Sequence, residues 1–164
     1  PGETPELGEQ TIDFAIELGA DWCNFNIATP LLGSDMYTHF RQSGALQESD
    51  PEAATIFLKR TFDTPEITAE ELNDLSYRAN LTTDFINNPA MRNGNYAQAL
   101  KMFDDIILRH SYHVVAIYCR MLCLRAMERP DEAEKARDQL AHMVGTHPDA
   151  KDMYQKYHDL MPGV

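Results

Sequence analysis

The chain has 164 residues with 14 Lys and Arg against 26 Asp and Glu, a formal net charge of −12, and a hydrophobic fraction of 43%. That length suits one domain or one domain with an appendage, and the apolar content excludes wholesale disorder. The acidity argues against nucleic acid or an anionic membrane as partner, and no apolar run approaches a membrane span of roughly 18 residues. Three cysteines without paired spacing fit a reducing, cytoplasmic setting.

Charge and composition change together. Residues 1–65 hold 3 basic and 11 acidic side chains, and residues 66–164 hold 11 and 15. Pro30, Gly33, Gly44, Pro51 and Pro65 punctuate the first part, whereas the second has long helical patterns with few breakers. The expected division is a first domain over 1–60 and a helical domain over 66–164.

Thr4 suits an N-cap, Pro5 the first helical position, and Glu6 and Glu9 the positive end of the macrodipole. Ile12, Ala15, Ile16 and Leu18 form the apolar stripe of this helix, and Gly19 ends it. Residues 22–28 alternate: Cys23, Phe25 and Ile27 fall on one side, Asn24 and Asn26 on the other, which predicts a strand. A lone strand leaves its backbone groups unpaired, so the segment is expected to be the end of an α/β layer whose other strands precede Pro1. Its free edge would favour dimerisation by strand exchange. Ser34 is placed to cap a short helix with Met36, Tyr37 and Phe40.

Further along, Thr68 and Glu71 have capping-box spacing ahead of Leu72, Leu75, Ala79, Thr82 and Ile86, and Asn87-Asn88-Pro89 stops that helix. Helices follow over Tyr96 to Ile107, Val114 to about Met127, Pro130 to Met143, and from Pro148 onward. The fold class predicted is mainly α: a helix–strand–helix from the end of an α/β barrel, then a helical bundle.

Ala99 and Ala133 lie 34 residues apart at matching places in two of these helices. The run Gly94-Asn95-Tyr96, Ala99 and Phe103 resembles the tetratricopeptide pattern, in which a small residue lets paired helices approach and an aromatic fills the groove. Ile106 and Ser111 depart from it, and the second copy has Glu128, Pro130 and Arg137 in place of Gly, Tyr and Phe.

The opening segment carries a second resemblance. Pro1-Gly2-Glu3-Thr4-Pro5-Glu6, Thr11-Ile12-Asp13-Phe14-Ala15, Leu18-Gly19 and Phe25-Asn26-Ile27-Ala28-Thr29-Pro30-Leu31-Leu32-Gly33-Ser34 resemble the late barrel of radical S-adenosylmethionine enzymes. The branch is the cobalamin-binding one, including Fe–S oxidoreductases similar to the anaerobic Mg-protoporphyrin monomethyl ester oxidative cyclase. Residues 69–110 resemble the helical tail of the same proteins. Leu32 stands where that family has Pro, and Ser34 where it has Thr. The resemblance implies a parent that uses S-adenosylmethionine, a [4Fe–4S] cluster and cobalamin for radical chemistry on an unknown substrate. It places Gly2 and Glu3 near the cofactor's ribose and methionine moieties, and Ile27, Ala28, Thr29, Pro30 and Leu31 beside its adenine. The implied partner is the upstream barrel of the same polypeptide. A protein partner, met by the helical tail acting as an independent interaction module, is the alternative.

The chain itself offers little chemistry. The family's cluster needs C-x-x-x-C-x-x-C; Cys119 and Cys123 match the first spacing, but position 126 is Ala and the pair sits in an amphipathic helix pattern. His110, His113, His142 and His147 stand at helix ends, where a bland electrostatic role is expected. Asp104-Asp105 and Glu70-Glu71 are adjacent pairs that point to different sides of a helix. No catalytic residue and no metal ligand is assigned.

Overall fold

A computed structural model of the chain describes residues 1–46 and 59–163. Residues 47–58, including Pro51, and residue 164 lie outside the described residues. The chain is mainly helical: α1 Pro5–Leu18, α2 Asp35–Gln42, α3 Ala69–Asn80, a π-helical segment Leu81–Ile86, α4 Pro89–Arg92, α5 Tyr96–Arg109, α6 Val114–Ala126, α7 Pro130–Thr146 and α8 Pro148–Tyr157. A 3₁₀ turn at His158–Leu160 follows. Among the described residues there is no strand, and no helix is long and apolar enough to cross a membrane.

The strand predicted over 22–28 is therefore corrected. The alternation is real: Cys23, Phe25 and Ile27 are half-buried while Asn24 and Asn26 are exposed. The segment is nevertheless not part of a sheet among the described residues. The Phe25 N–H donates to Asn80 Oδ1 (3.4 Å) and the Ser76 hydroxyl donates to the Phe25 carbonyl (2.8 Å), so two side chains of α3 take the place of a neighbouring strand.

The chain divides into two compact units, one of residues 1–18 and 23–80, the other of 19–22 and 81 onward. The division falls at Asn80 and Leu81, where α3 passes into the π-helical segment, whereas the composition change at 60–68 marks the start of α3.

In the first unit α1 packs on α3. Gly8 makes this possible, because a Cβ at that position would overlap the Leu75 side chain. Ile12 is buried on the same side. Leu7, Phe14 and Leu18 are 45%, 64% and 63% exposed and recur at helical spacing, so α1 has a second apolar face turned outward. Leu18 thus belongs to that outer face and not to the buried stripe. The start signals hold: Thr4 accepts from the Leu7 N–H (3.3 Å), and Ser34 caps α2 by accepting from the Tyr37 N–H (3.1 Å). A small core joins Phe40, Leu46 and Phe62, with the Phe40 and Phe62 rings edge to face at 5.0 Å. The capping box opens α3: Thr68 N–H donates to Glu71 Oε2 (2.9 Å) and Glu71 N–H donates to Thr68 Oγ1 (3.2 Å). The Thr68 hydrogen bonds hold the exposed Glu71 carboxyl below its usual pKa.

In the second unit α6 is the centre, in contact with the π-helical segment, α5, α7 and α8. Val114 to Cys119 are six consecutive buried residues, as expected of a helix with neighbours all round. Arg120 and Asp104 pair at 2.7 Å between α6 and α5, and the Tyr118 hydroxyl donates to the Pro162 carbonyl (3.2 Å).

The 34-residue interval recurs in the backbone. The turn before α5 has Gly94 at φ +74°, with Gly94 N–H donating to the Met91 carbonyl (3.0 Å) and Asn95 N–H to Ala90 (2.7 Å). The turn before α7 has Glu128 at φ +56°, with Glu128 N–H donating to Arg125 (3.1 Å) and Arg129 N–H to Leu124 (2.9 Å). Each is a Schellman closure, and the two are in register at that interval. The helix starts Tyr96 and Pro130, then Val114 and Pro148, keep it too. Ala99 and Ala133 are buried in α5 and α7. His113 and His147 precede α6 and α8, the first stacked on Phe85 at 4.7 Å and the second on Tyr112 at 4.9 Å.

Candidate functional site

A cavity of about 320 Å³ lies within the first unit. Its walls come from the N-terminal turn (Pro1, Glu3), α1 (Gly8, Thr11), the extended segment (Phe25 to Ala28), α2 (Met36, Phe40), Arg60 and the buried side of α3. The extended segment holds its place through the Ser76 and Asn80 bonds to Phe25, so the same contacts that replace a strand partner shape this wall.

Of the residues that the radical-enzyme resemblance marks, Glu3, Ile27 and Ala28 meet at this cavity. Gly2, Thr29, Pro30 and Leu31 do not line it. Gly2 is exposed, with φ +81° and open space where a Cβ would stand. Thr29 is half-buried, Pro30 is fully buried behind the segment, and Leu31 is 49% exposed. The segment lines the cavity from Phe25 to Ala28 and leaves it at Thr29.

Arg60 is the cavity residue that sequence reading missed. It is only 8% exposed. Its backbone is tied to α3 by a reciprocal pair, Arg60 N–H to Asn73 Oδ1 and Asn73 Nδ2 to the Arg60 carbonyl, both 2.9 Å. Nη2 donates to the carbonyls of Ile67 (2.6 Å) and Thr68 (3.3 Å), and the guanidinium lies 5.6 Å from the Phe62 ring centre. Nε is buried and has no hydrogen-bond partner among the described residues. Desolvation pulls the pKa of this group below the usual guanidinium value, opposed by the fields of Asp63 and Glu66. Nothing in the sequence separates Arg60 from the other arginines, since its burial depends on Asn73 and the 67–68 carbonyls.

The cysteines do not fit a cluster. Cys119 and Cys123 are both buried in α6, where burial raises the Cys119 pKa well above its usual value and that of Cys123 to about 11. Both are held as neutral thiols, opposite to what iron ligation needs. Among the described residues no group of three His, Cys, Asp or Glu is arranged to hold a metal ion.

His113 does more than sequence position suggested. Its Nδ1 accepts from the Ala116 N–H (3.1 Å), making it the N-cap of α6 and not a cation at a helix end. Burial, chiefly, lowers its pKa to about 4, so the ring is neutral near pH 7. No family model, curated protein or solved structure matches the chain.

Proposed function

We propose that this chain is the non-catalytic C-terminal part of a radical S-adenosylmethionine enzyme of the cobalamin-binding branch. In this reading residues 1–46 close the end of a barrel formed by preceding sequence, and the helices from 81 onward form a tetratricopeptide-like tail that positions substrate or a partner. The observation that carries it is the outward apolar face of α1, where Leu7, Phe14 and Leu18 stand exposed at helical spacing. An outer barrel helix buries such a face against its neighbours, and the upstream barrel is the occupant that the motif order of residues 1–34 calls for. The convergence of Glu3, Ile27 and Ala28 on one cavity supports it further. The parent's cluster and cofactor chemistry would come from residues outside this chain, because its own thiols are unsuited to iron.

The test is the longer gene product, purified and reconstituted without oxygen. A [4Fe–4S] absorption band and reductant-dependent release of 5′-deoxyadenosine are expected. Phe14→Glu should disrupt folding of that longer protein while leaving the 164-residue chain folded. A reading frame with no cluster-bearing portion ahead of Pro1 overturns the proposal.

A second reading, an independent tetratricopeptide-like interaction module, is favoured by the paired closures at Gly94 and Glu128 and the paired helix starts. Such a module grips a peptide in a helical groove. Further 34-residue repeats in the flanking sequence, in place of alternating strands and helices, would select it.

A further inference from the structure

We propose that α1 is one half of a helix–helix seam whose other half is an amphipathic helix of the preceding polypeptide, apolar along the contact and carrying Lys or Arg along one flank. The inference rests on the reading of residues 1–46 as the end of a larger barrel, and it names the element that covers α1.

The spacing of the outward face calls for a helix. Leu7, Thr11, Phe14 and Leu18 are all exposed and stand four, three and four residues apart. That is the rhythm of one helix packed lengthwise on another, whereas a strand or loop laid across α1 would not follow it. The Thr11 hydroxyl donates to the Leu7 carbonyl (2.9 Å), so it is satisfied within α1 and presents no unmet polar group to the seam.

The charge beside that face tells what the helix carries. Glu6, Gln10, Asp13 and Glu17 repeat the same intervals one residue earlier and are exposed, which makes a second row along one flank of the first. Among the described residues the Asp13 and Glu17 carboxylates form no ion pair, and α1 contains no basic side chain. The other flank is closed, because Gly8 lies against Leu75 of α3 and Ala15 is half-buried. The partner's cations therefore belong on one side only, where they meet the acidic row as flanking charges do along a coiled-coil seam. The same rows argue against a second copy of the chain. Antiparallel pairing of two α1 faces would set one acidic flank against the other, and parallel pairing would set it against the side that α3 covers, in a chain of net charge −12.

The test compares the longer gene product with the 164-residue chain. A benzophenone analogue of phenylalanine at Phe14 should, on illumination, join intramolecularly to a preceding segment that reads as a helix with Lys or Arg on one flank. Asp13→Lys with Glu17→Lys should lower the urea midpoint of the longer product and leave that of the 164-residue chain, where both positions face water, nearly unchanged. If that variant of the longer product fails to fold, Asp13→Asn with Glu17→Gln should give a smaller shift in the same direction, which molar salt should shrink. A dimeric cross-link, a cross-link to a segment without basic residues, no cross-link, or an unmoved midpoint in the longer product would each overturn the proposal. When such a failure accompanies a reconstituted cluster and 5′-deoxyadenosine release, this inference falls and the enzyme reading stands; the expected cross-link in a longer product without a cluster sinks the enzyme reading alone.

Discussion

Acidification should weaken the second unit through His113, and the size of the effect follows from its surroundings. The imidazole is stacked on Phe85 and its Nδ1 caps α6, so the folded form accepts a proton only near pH 4. The unfolded chain takes up that proton near 6.5. Between these values the unfolded state binds more protons than the folded one, so stability rises with pH across the window and falls as pH drops through it. At 1.36 kcal/mol per pH unit, about 3 kcal/mol is lost between pH 6.5 and 4, and the loss levels off below that. His113→Asn keeps a capping oxygen but does not titrate. Urea unfolding can be followed by the fluorescence of Trp22, the single tryptophan, whose ring lies 6.1 Å from Phe85. The wild-type advantage over His113→Asn should shrink by about 2 kcal/mol between pH 7 and 4.5. Parallel curves, or a ring titration near 6.5 by NMR, would refute the reasoning.

Glu128→Gly should stabilise the second unit by roughly 1 kcal/mol, because Glu128 occupies the left-handed region that Gly94 fills without cost; an unchanged melting temperature would contradict this. Asn88 is buried, accepts from the Ala90 and Met91 N–H groups (3.1 and 3.3 Å) and donates to the Asp84 carbonyl (2.9 Å). Asn88→Ala should cost about 2–3 kcal/mol in urea unfolding, by leaving buried groups unsatisfied. Thiol titration of the native chain should label Cys23 well before Cys119 and Cys123, and all three in denaturant.

Local signals carried most of the helical order. Ser34 and the Thr68–Glu71 pair mark helix starts in the sequence and do so in the structure, because a cap is a contact across three residues. The helix over Thr68 to Ile86 was legible too, but its change to π-helical turns at Leu81 was not, since apolar periodicity barely differs between the two forms. Residues 22–28 show where local reading fails. Alternation reports two faces, not what receives the backbone, and here Ser76 and Asn80, some fifty residues away, receive it. The cavity itself was not legible in the sequence. Glu3, Ile27 and Ala28, which the family resemblance marks for another reason, lie on its wall, while Arg60 is defined by partners in α3 and by the 67–68 carbonyls. His113 was misjudged for a related reason: a histidine between two helices can serve the end of one or the start of the next, and only backbone geometry tells which.

The six buried residues that open α6 also bear on how the molecule tolerates mutation. Each of the other α-helices keeps exposed positions on which chance replacements are nearly neutral, but Val114 to Cys119 has none. Random mutagenesis with selection for soluble protein should leave this stretch almost untouched and confine survivors there to swaps among small aliphatic side chains. Diversity would accumulate instead along the outer sides of α5 and α7.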